Sequence, residues 1–568
     1  MKFARLKLLI IGGYGTFGGR LARLLHDEPE LTVLIAGRTL HKATAFVATH
    51  AGQAKLIPLE FDRDGDVQQQ LMALMPDIVV DASGPFQSYG AKPYRVVEAS
   101  IACGAHYIDL ADGSSFVQNI SRFDSTAKQK DVFVLAGAST CPVLTAAVAK
   151  HLSHDLTSVD SITGGIAPSP FAGLGLSVVE AIATYAGKPL VVQRNNQPGK
   201  AYALTETRHY TIAPPGHLPL RPVTFSLLDV PDLQLLATLD PPARNVWFGV
   251  ATVPVIYQAL LRVLARCVKF GIFRSIRPLA KTMHYFMNHL SWGEHRGGMY
   301  IEIRGTNREQ REIVRSWHLI AEGDDGPMIP VLAAVAIIRK CLKNETPVAG
   351  ARSAMGMLEL DDYQSMFRQF KISTGIREYP LPGNWPFFRQ VLGDAWADLP
   401  TEIRELHCAE NHKCFRGRAT VTRGRSLLAG VVAWFVGFPS ANDKVPVSVE
   451  IQRTGKFEVW KRDFDGHTFA SEMTVGKGYF SQLICERFGP FKFGMGLVLD
   501  NATLHYVPRR WTLLGIPMPK FLAPTGKMIE TVLDDKFNFH VEVVLPVVGH
   551  IVTYQGWLKE HTQVVVNS

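Results

Sequence analysis

The sequence is poor in cysteine, and its basic residues are not clustered. Seven cysteines are dispersed over 568 residues, at positions 103, 141, 267, 341, 408, 414 and 485. This small, odd number indicates a reducing compartment rather than a framework of disulfides. The net charge of +9 is modest for this length. Without dense runs of lysine and arginine, the composition argues against a nucleic-acid partner.

Long apolar runs are missing as well. The most apolar stretch, residues 247–273, is interrupted by Pro254, so no unbroken run is long enough to span a bilayer. Its basic residues Arg262, Arg266 and Lys269 recur at helical spacing, which favours a partly buried amphipathic helix. Contact with a membrane surface or with a lipid-like substrate is the alternative.

The chain also begins without the pattern of a secretory leader, because residues 1–7 lead directly into an apolar run and then glycines. We therefore expect a cytoplasmic protein, with attachment to the periphery of a membrane as the alternative. Internal repeats are missing, and so are the HExxH, GxSxG and Walker motifs, so the enzymes that these motifs define are not indicated. With 47% hydrophobic and 20% charged residues, the composition is that of a folded protein of several domains.

What the sequence does contain is a glycine-rich turn near its start. Residues 8–11 are continuously apolar, like a buried parallel strand. The segment Gly12-Gly13-Tyr14-Gly15-Thr16-Phe17-Gly18 follows, and a helical pattern of leucines comes next. Glycines let a backbone turn approach a pyrophosphate, and the helix N-terminus offers free N–H groups and a positive dipole end. The pattern predicts a dinucleotide site in one of two registers, with glycines 13, 15 and 18 or glycines 12, 15 and 18.

The end of the second predicted strand indicates which nicotinamide cofactor is bound. Residues 31–36 form this strand, and Gly37-Arg38-Thr39 ends it. An NAD site usually has Asp or Glu there to bind the ribose 2′-hydroxyl. Arg38 would instead attract a 2′-phosphate, and Lys42 could add charge one turn later. The sequence therefore favours NADP(H) over NAD(H).

Four more predicted strands complete a parallel sheet. They begin near residues 55, 78, 106 and 132. Ligands of such sheets bind at the C-terminal ends of the strands. Asp62 should therefore meet the adenine end of the cofactor, and Ser83-Gly84-Pro85-Phe86 should lie along it. The predicted fold class of residues 1–143 is α/β, a doubly wound Rossmann domain.

Five segments, in this order, resemble saccharopine dehydrogenase-like proteins. They are Gly12 to Gly18, Ala36-Gly37-Arg38, Ala82-Ser83-Gly84-Pro85-Phe86, Gly104-Ala105-His106-Tyr107-Ile108-Asp109 and Gly137-Ala138-Ser139. The resemblance implies an NADP-binding Rossmann domain followed by an α+β domain that serves substrate binding or dimerisation. The family includes saccharopine reductases, trans-acting enoyl reductases of lipid assembly and oxidoreductases without an assigned substrate. It thus implies a small-molecule substrate and, as one option, a homodimer.

Hydride transfer often needs a proton donor beside the reacting atom. Tyr107 and Asp109 lie on the fifth predicted strand, and Asp109 is nearest its crevice end. We name both as candidate catalytic residues, Asp109 first. A core position for the tyrosine and a helix-capping role for the aspartate are the alternatives. Cys141 could be a nucleophile, but a small buried thiol is favoured because no histidine partner is evident.

The middle of the chain, residues 144–375, is predicted to be an α+β domain. A strand over 299–305, its hairpin partner over 312–321 and an apolar helix over 328–341 are its clearest elements. A linker containing proline and glycine follows at 380–386.

Residues 386–568 are predicted to be an antiparallel β-rich domain, a half-barrel or curved sheet, because most of its segments alternate between apolar and polar residues. It resembles an uncharacterised domain that is appended to saccharopine dehydrogenase-like oxidoreductases, and segments 514–519 and 549–558 carry the likeness. Two hypotheses stay open for its role: binding of an apolar ligand, and a purely structural function.

Two histidines and two cysteines crowd the segment from His407 to Cys414. Such a group invites a zinc site, but it lacks the paired C-x₂-C spacing of structural zinc sites. We therefore predict no metal there.

The function that these observations favour is that of an NADP(H)-dependent oxidoreductase. It would transfer hydride to or from a C=N, C=O or C=C bond of a metabolite, which could be apolar or linked to a carrier. The alternative is a non-catalytic NADP- or lipid-binding protein that uses the Rossmann domain structurally.

Overall fold

The described chain divides into two compact units. The computed structural model describes residues 5–173, 175–252, 254–382, 385–408 and 412–561. Unit 1 consists of Met1–Tyr210 and Val223–Ser373, and unit 2 consists of Thr211–Pro222 and Thr374–Ser568.

Unit 1 begins with six strands separated by helices, at the positions that the sequence predicts. The strands are β1 (Leu6–Ile11), β2 (Leu31–Gly37), β3 (Lys55–Glu60), β4 (Ile78–Asp81), β5 (His106–Asp109) and β6 (Phe133–Ala136). The helices are α1 (Thr16–Leu24), α2 (Leu40–Ala48), α3 (Val67–Leu74), α4 (Arg95–Ala102), α5 (Ser114–Gln118), α6 (Asp124–Gln129) and α7 (Thr145–Ser153). The strands pair in parallel. β1 and β2 are almost continuously apolar and buried because helices cover both faces of such a sheet.

A second, mixed sheet follows in unit 1. Its strands include β7 (Leu156–Ala167), β10 (Thr207–Tyr210), β11 (Val223–Leu227), β12 (Ala243–Val250), β13 (Arg296–Asn307) and β14 (Glu312–Glu322). A separate hairpin consists of β8 (Pro189–Arg194) and β9 (Gln197–Tyr202). The helices of this region are α8 (Leu176–Tyr185), α9 (Asp232–Leu235), α10 (Val255–Lys269), α11 (Ala280–His289) and α12 (Ile329–Leu342). The sheet has seven strands in the order β10-β11-β12-β7-β13-β14-β16, where β16 is Ile372–Tyr379. The predicted hairpin is confirmed as β13–β14, with Tyr300 opposite His318, and the predicted apolar helix is α12.

The chain then returns to the first sheet, which the sequence did not predict. The short strand β15 (Gly350–Ser353) pairs in parallel with β6. The complete order of the first sheet is β15-β6-β5-β4-β1-β2-β3. This confirms the predicted doubly wound α/β fold and adds an edge strand to it. The helix α13 (Leu360–Phe367) and the strand β16 (Ile372–Tyr379) lead toward unit 2.

The apolar stretch 247–273 proves to be the end of β12 and the amphipathic helix α10. This helix buries Gln258, Leu261 and Ala265, and it exposes Val255, Ile256 and Leu260 among others. The favoured interpretation, a partly buried amphipathic helix, agrees with this geometry. No helix within the described ranges is long and apolar enough to cross a membrane.

Unit 2 contains a β-barrel and three further helices. The helices are α14 (Phe387–Leu392), α15 (Thr401–His407) and α16 (Leu427–Val436). The strands are β17 (His412–Arg423), β18 (Asn442–Thr454), β19 (Phe457–Phe464), β20 (His467–Val475), β21 (Ile484–Phe488), β22 (Phe491–Asp500), β23 (Thr503–Leu513), β24 (Ile516–Pro517), β25 (Met528–Leu533), β26 (Lys536–Leu545) and β27 (Gly549–Glu560).

These strands close the half-barrel that the sequence predicts. Their order is β22-β21-β20-β19-β18-β17-β27-β26-β25-β23-β24, and β22 also pairs with β23. Each strand of the ring is antiparallel to its neighbours, and the first and last strands, β17 and β27, lie side by side. The predicted antiparallel β-rich fold is confirmed, and the pairing of β22 with β23 turns the curved sheet into a ten-stranded ring, with the two-residue strand β24 paired to β23 outside it.

Candidate functional site

The turn between β1 and α1 is tight, and its glycines are required by its geometry. Gly12 has a φ of +78°, in the left-handed region that favours glycine. A Cβ on Gly18 would collide with the carbonyl oxygen of Gly12. Gly15 is the N-cap of α1, and its N–H donates to the Gly12 carbonyl at 2.8 Å. Gly13 is confined as well, because a Cβ there would lie 2.9 Å from the Ile10 carbonyl oxygen. The turn thus needs glycine at positions that belong to both predicted registers.

The start of α1 fits a diphosphate. The first helical bond recorded there runs from the Gly19 N–H to the Gly15 carbonyl. The amides of Thr16, Phe17 and Gly18 precede it and have no carbonyl four residues earlier within the helix. The first turn of α1 also contains no acidic residue, so nothing opposes an anion at the positive end of the helix dipole.

Tyr14 shapes the end of β2, and the sequence analysis missed this residue. Its ring lies where a side chain at position 37 would be, because a Cβ on Gly37 would come within 2.5 Å of it. The Tyr14 hydroxyl accepts a hydrogen bond from the Thr39 N–H at 3.1 Å. Glycine at position 37 is therefore favoured for a steric reason as well as an electrostatic one. A carboxylate side chain cannot occupy this position while the Tyr14 ring does. Arg38 follows directly and is exposed to solvent.

Asp62 lies just beyond the end of β3 and is exposed. The side chain of Gln70 fixes its backbone, accepting from the Asp62 N–H at 2.9 Å and donating to the Asp62 carbonyl at 2.9 Å. The next residue, Arg63, stacks over the ring of Tyr89 with its guanidinium carbon 3.3 Å from the ring centroid. The predicted adenine side of the crevice is thus bordered by a fixed loop and a cation.

A buried carboxyl holds the loop that follows β4. Asp81 accepts hydrogen bonds from the Ser83 N–H at 3.0 Å, from the Ser83 hydroxyl at 2.6 Å and from the Tyr89 hydroxyl at 3.2 Å. Burial raises the pKa of Asp81, and these donors partly offset that effect. The segment Ser83-Gly84-Pro85-Phe86 is therefore held in place at the crevice edge, with Phe86 buried beneath it.

The structure places Tyr107 and Asp109 side by side beneath the crevice, both at 0% exposure. The Asp109 Oδ1 accepts from the Ala111 N–H at 2.9 Å and from the Gly137 N–H at 2.8 Å. Burial raises the pKa of Asp109 to about 7 and that of Tyr107 well above its usual value. Asp109 thus ties the end of β5 to the loop after β6. This geometry supports a positioning role, and a direct proton-donating role for either residue stays a prediction.

Polar side chains from both sheets of unit 1 meet above this edge, and the sequence analysis did not find them. The Gln87 side chain donates to Asp112 at 2.9 Å, and the Ser114 hydroxyl donates to Asp229 at 2.6 Å. Burial raises the pKa of Tyr185 on α8, and the nearby Asp112 and Asp229 add to the effect. Tyr185 and Asp229 are far from the glycine turn in the sequence. The spacing of residues along the chain therefore could not connect them with the turn.

Cys141 agrees with the favoured interpretation of a buried thiol. It is 6% exposed, and burial beside Asp232 raises the pKa of its thiol well above the ordinary value. A thiol with a raised pKa forms little thiolate, which is the nucleophilic form.

The segment 407–414 lies only partly within the described residues, because residues 409–411 are outside them. His407 is buried and bonds to Glu530, with 2.7 Å between its Nε2 and the Glu530 Oε2. Within the described part of the chain, no group of three or more His, Cys, Asp or Glu side chains is arranged to hold a metal ion.

Two segments of the chain match protein-family models, one near each end. Residues 8–137 match the Saccharopine dehydrogenase NADP binding domain. The matched residues cover the turn, the β2 end and the loops after β4 and β5, and they end at Gly137, directly after β6. Residues 399–558, which contain α15 and the barrel, match a Domain of unknown function (DUF4166). The resemblance inferred from the sequence is confirmed for both segments.

Solved structures with some similarity include a saccharopine dehydrogenase and a probable dehydrogenase. Saccharopine dehydrogenase (L-Glu forming) from Saccharomyces cerevisiae is 12% identical with a TM-score of 0.46, covering 66% of this chain and 100% of that chain. A probable dehydrogenase from Thermotoga maritima is 10% identical with a TM-score of 0.30, covering 61% of this chain and 91% of that chain. At these scores we infer nothing about function from either structure. No curated protein matches the sequence at a significant level.

Proposed function

We propose that the protein is an NADP(H)-dependent oxidoreductase that acts on a small-molecule substrate. The observation that carries this proposal is the turn in which Gly18 packs against Gly12, so that the start of α1 is open to a diphosphate. The match of residues 8–137 to a family of NADP-binding domains supports it. When bound, the nicotinamide would supply or accept the hydride.

The residues of this chain would bind and orient the two reactants. Amides at Thr16, Phe17 and Gly18 would bind the diphosphate, with Gly12, Gly13 and Gly15 shaping the turn. Arg38 and Thr39 would bind the 2′-phosphate, and Asp62 would lie toward the adenine. The loop from Ser83 to Phe86 would lie along the nicotinamide half.

The substrate would lie over the ends of β4 and β5. Gln87, Asp112 and Asp229 offer hydrogen-bonding groups there, and Tyr185 offers a hydroxyl. Such groups suit a polar unsaturated bond, C=N or C=O, and a C=C bond conjugated to a carbonyl is the third option. A homodimer, a cytoplasmic location and contact with a membrane stay predictions.

Cofactor selectivity tests this proposal. Arg38→Ala should weaken NADPH binding about tenfold or more and leave NADH binding nearly unchanged, because only NADPH has the 2′-phosphate. Arg308→Ala removes the same charge in the turn between β13 and β14 and is the matched control. Equal weakening of both cofactors by Arg38→Ala would remove the basis for NADP(H).

Turnover separates the enzyme from a non-catalytic binding protein. The wild type should oxidise NADPH with at least one member of a panel of imines, aldehydes, ketones and enoyl thioesters. Asp112→Asn should lower kcat with that substrate while leaving NADPH binding intact. Saturable NADPH binding without turnover across the panel would favour the non-catalytic alternative.

A further inference from the structure

The barrel of unit 2 encloses a cavity. Its volume is about 340 Å³, within the range of pockets that hold small ligands. Apart from a few polar groups, its lining is apolar, with aromatic residues such as Phe493, Trp511 and Phe539. Eight strands already give an interior that can hold one small ligand, and this ring has ten, so a cavity is expected where side chains do not fill the lumen.

Several inward-facing apolar side chains lack complete packing. Phe493 on β22 and Phe539, Val541 and Val543 on β26 line the cavity, yet they are only partly buried. Apolar side chains in a protein interior are normally close-packed. Their exposure to open space inside the barrel indicates room for an apolar ligand rather than a finished core.

The cavity also contains two groups of polar side chains. In the first, Arg462 donates to Glu486 at 3.0 Å and to Ser471 at 2.8 Å, and Ser471 donates to Glu486 at 2.7 Å. The side chains of Arg462 and Glu486 are each 14% exposed. The arginine charge is therefore already neutralised by a carboxylate.

In the second group, Glu530 accepts from the Tyr506 hydroxyl at 2.6 Å and lies 2.7 Å from His407. Glu486 and Glu530 both line the cavity. An anionic ligand would meet these two carboxylates without an uncommitted cation, whereas a hydroxyl, ester or amide could bond to Arg462 or Tyr506. The polar groups thus suit a neutral head.

The two ends of the barrel are closed differently. Helices α14 and α15 bury Phe388, Ile403 and Leu406 in the barrel core at the end where β17 begins. At the other end, α16 joins β17 to β18 and turns Val432 and Val436 toward the cavity. Its opposite side presents apolar residues to solvent: Leu427 is 92% exposed and Trp434 81% exposed.

The exposed apolar residues continue around this end. Leu514 follows β23, Phe521 precedes β25 and Val547 lies in the turn from β26 to β27, and each is at least 75% exposed. Because neighbouring strands are antiparallel, these turns lie at the same end as α16. Exposed apolar residues grouped in this way mark an interaction site rather than an ordinary surface. Their position around the cavity mouth points to the source of the ligand.

We propose that the barrel binds one lipid with a long apolar chain and a neutral polar head, and takes it up from a lipid surface through the α16 end. The apolar chain of the lipid would occupy the aromatic cavity, and its head would bond to Arg462 or Tyr506. The apolar residues around α16 would contact the lipid surface while the ligand passes. This proposal is independent of the NADP(H) function.

The cavity is tested on the full-length protein by displacement of the fluorescent probe N-phenylnaphthylamine. Hexadecanol should displace the probe at least about tenfold more effectively than hexadecanoate, because the carboxylate would meet Glu486 and Glu530. Val543→Trp and Met473→Trp should each reduce probe binding about tenfold by filling the cavity, with unchanged circular dichroism and NADPH binding. Leu533→Trp, an exposed position at the opposite end, is the control.

The binding proposal is overturned if the wild type does not bind the probe, or if hexadecanoate competes as well as hexadecanol. It is also overturned if both filled variants fold and bind like the wild type. If either variant misfolds, Val541→Phe replaces it, because this change adds less volume at a half-buried position. Unchanged probe binding by a folded Val541→Phe protein would overturn the proposal in the same way.

Uptake through the α16 end is tested by flotation with phosphatidylcholine vesicles. The wild type should float with the vesicles, and Leu427→Asp/Trp434→Asp should lose about tenfold or more of this binding, because it removes two large apolar contacts. It should still bind the probe in the absence of vesicles. Leu533→Asp at the opposite end should float like the wild type. Failure of the wild type to float, or equal loss in both variants, contradicts the route.

Discussion

The Rossmann domain and the barrel encode their sites in different ways. The dinucleotide turn lies within seven consecutive residues, Gly12 to Gly18, between one strand and one helix. The cavity of the barrel is built by strands that extend from His412 to Glu560. One site is a local backbone shape, and the other is a space that exists only after a sheet closes.

This difference separates what a side chain does in each region. In the turn, the missing Cβ atoms matter, because the backbone itself would bind the ligand. In the barrel, the side chains line the site, and the interior charges must be paired because water cannot solvate them there. Changes of backbone shape should therefore affect unit 1 most, and changes of charge should affect unit 2 most.

The largest expected effect is the loss of a paired charge inside the barrel. Arg462→Met leaves Glu486 buried without its cation, and we expect unit 2 to lose about 3–5 kcal/mol of unfolding free energy. Urea unfolding followed by hydrogen exchange would measure the loss unit by unit. The double variant Arg462→Met/Glu486→Gln should lose clearly less, since no unpaired charge remains. Equal losses of unfolding free energy in the single and double variants would contradict the claim that the unpaired charge of Glu486 causes the loss.

The second effect is a change in the pH dependence of unit 1. The pKa of Asp109 is raised from 3.8 to about 7 by burial. The folded state therefore holds a proton that the unfolded state releases, so the stability gained from the neutral carboxyl is present below about pH 4 and is lost as the pH rises through about 7.

Asp109→Asn keeps an oxygen that can accept from Ala111 and Gly137 but cannot ionise. Relative to the wild type, this variant should gain roughly 2–4 kcal/mol of unfolding free energy between about pH 4 and about pH 8. Urea unfolding at several pH values measures this difference. Parallel pH profiles for the two proteins would show that Asp109 does not carry the pH dependence.

A backbone change in the turn should have a smaller effect on stability but a large one on binding. Gly18→Ala places a Cβ against the Gly12 carbonyl, so we expect a loss of about 1–3 kcal/mol in unit 1 and a loss of NADPH binding. Gly430→Ala in α16 is the control, because a Cβ there meets nothing within 4 Å. Retention of wild-type NADPH affinity by a folded Gly18→Ala protein would contradict the proposal that this turn binds the diphosphate.

The smallest expected effect is at Cys141. Cys141→Ala should change the unfolding free energy by about 1 kcal/mol or less and should leave turnover of NADPH intact, because a buried thiol with a raised pKa is not a nucleophile. Activity assays before and after treatment with iodoacetamide measure this. Loss of turnover in the alanine variant would return Cys141 to the list of catalytic candidates.

Local patterns in the sequence were enough to predict the strands of the first sheet from β1 to β6, the glycine turn, the β13–β14 hairpin and the helix α12. Each of these elements has an apolar period or a glycine signature within a short window. The antiparallel character of unit 2 was predicted for the same reason, from alternating segments such as β18 and β19.

What the sequence could not predict depends on contacts between distant residues. The edge strand β15 has only four residues and no apolar alternation. The Tyr14 ring over Gly37, the burial of Asp109 and the position of Asp229 beside Ser114 follow from packing. Closure of the barrel depends on the pairing of β17 with β27, the first and last strands of the ring, which fixes the cavity but leaves no mark in either strand alone.

Hydrogen exchange of the full-length protein with and without NADPH tests the central claim most directly. The account predicts that NADPH slows exchange at residues 13–18 and near residues 38–42, and leaves the strands of the barrel unchanged. Absence of protection in the turn at saturating NADPH, or protection confined to unit 2, would contradict it.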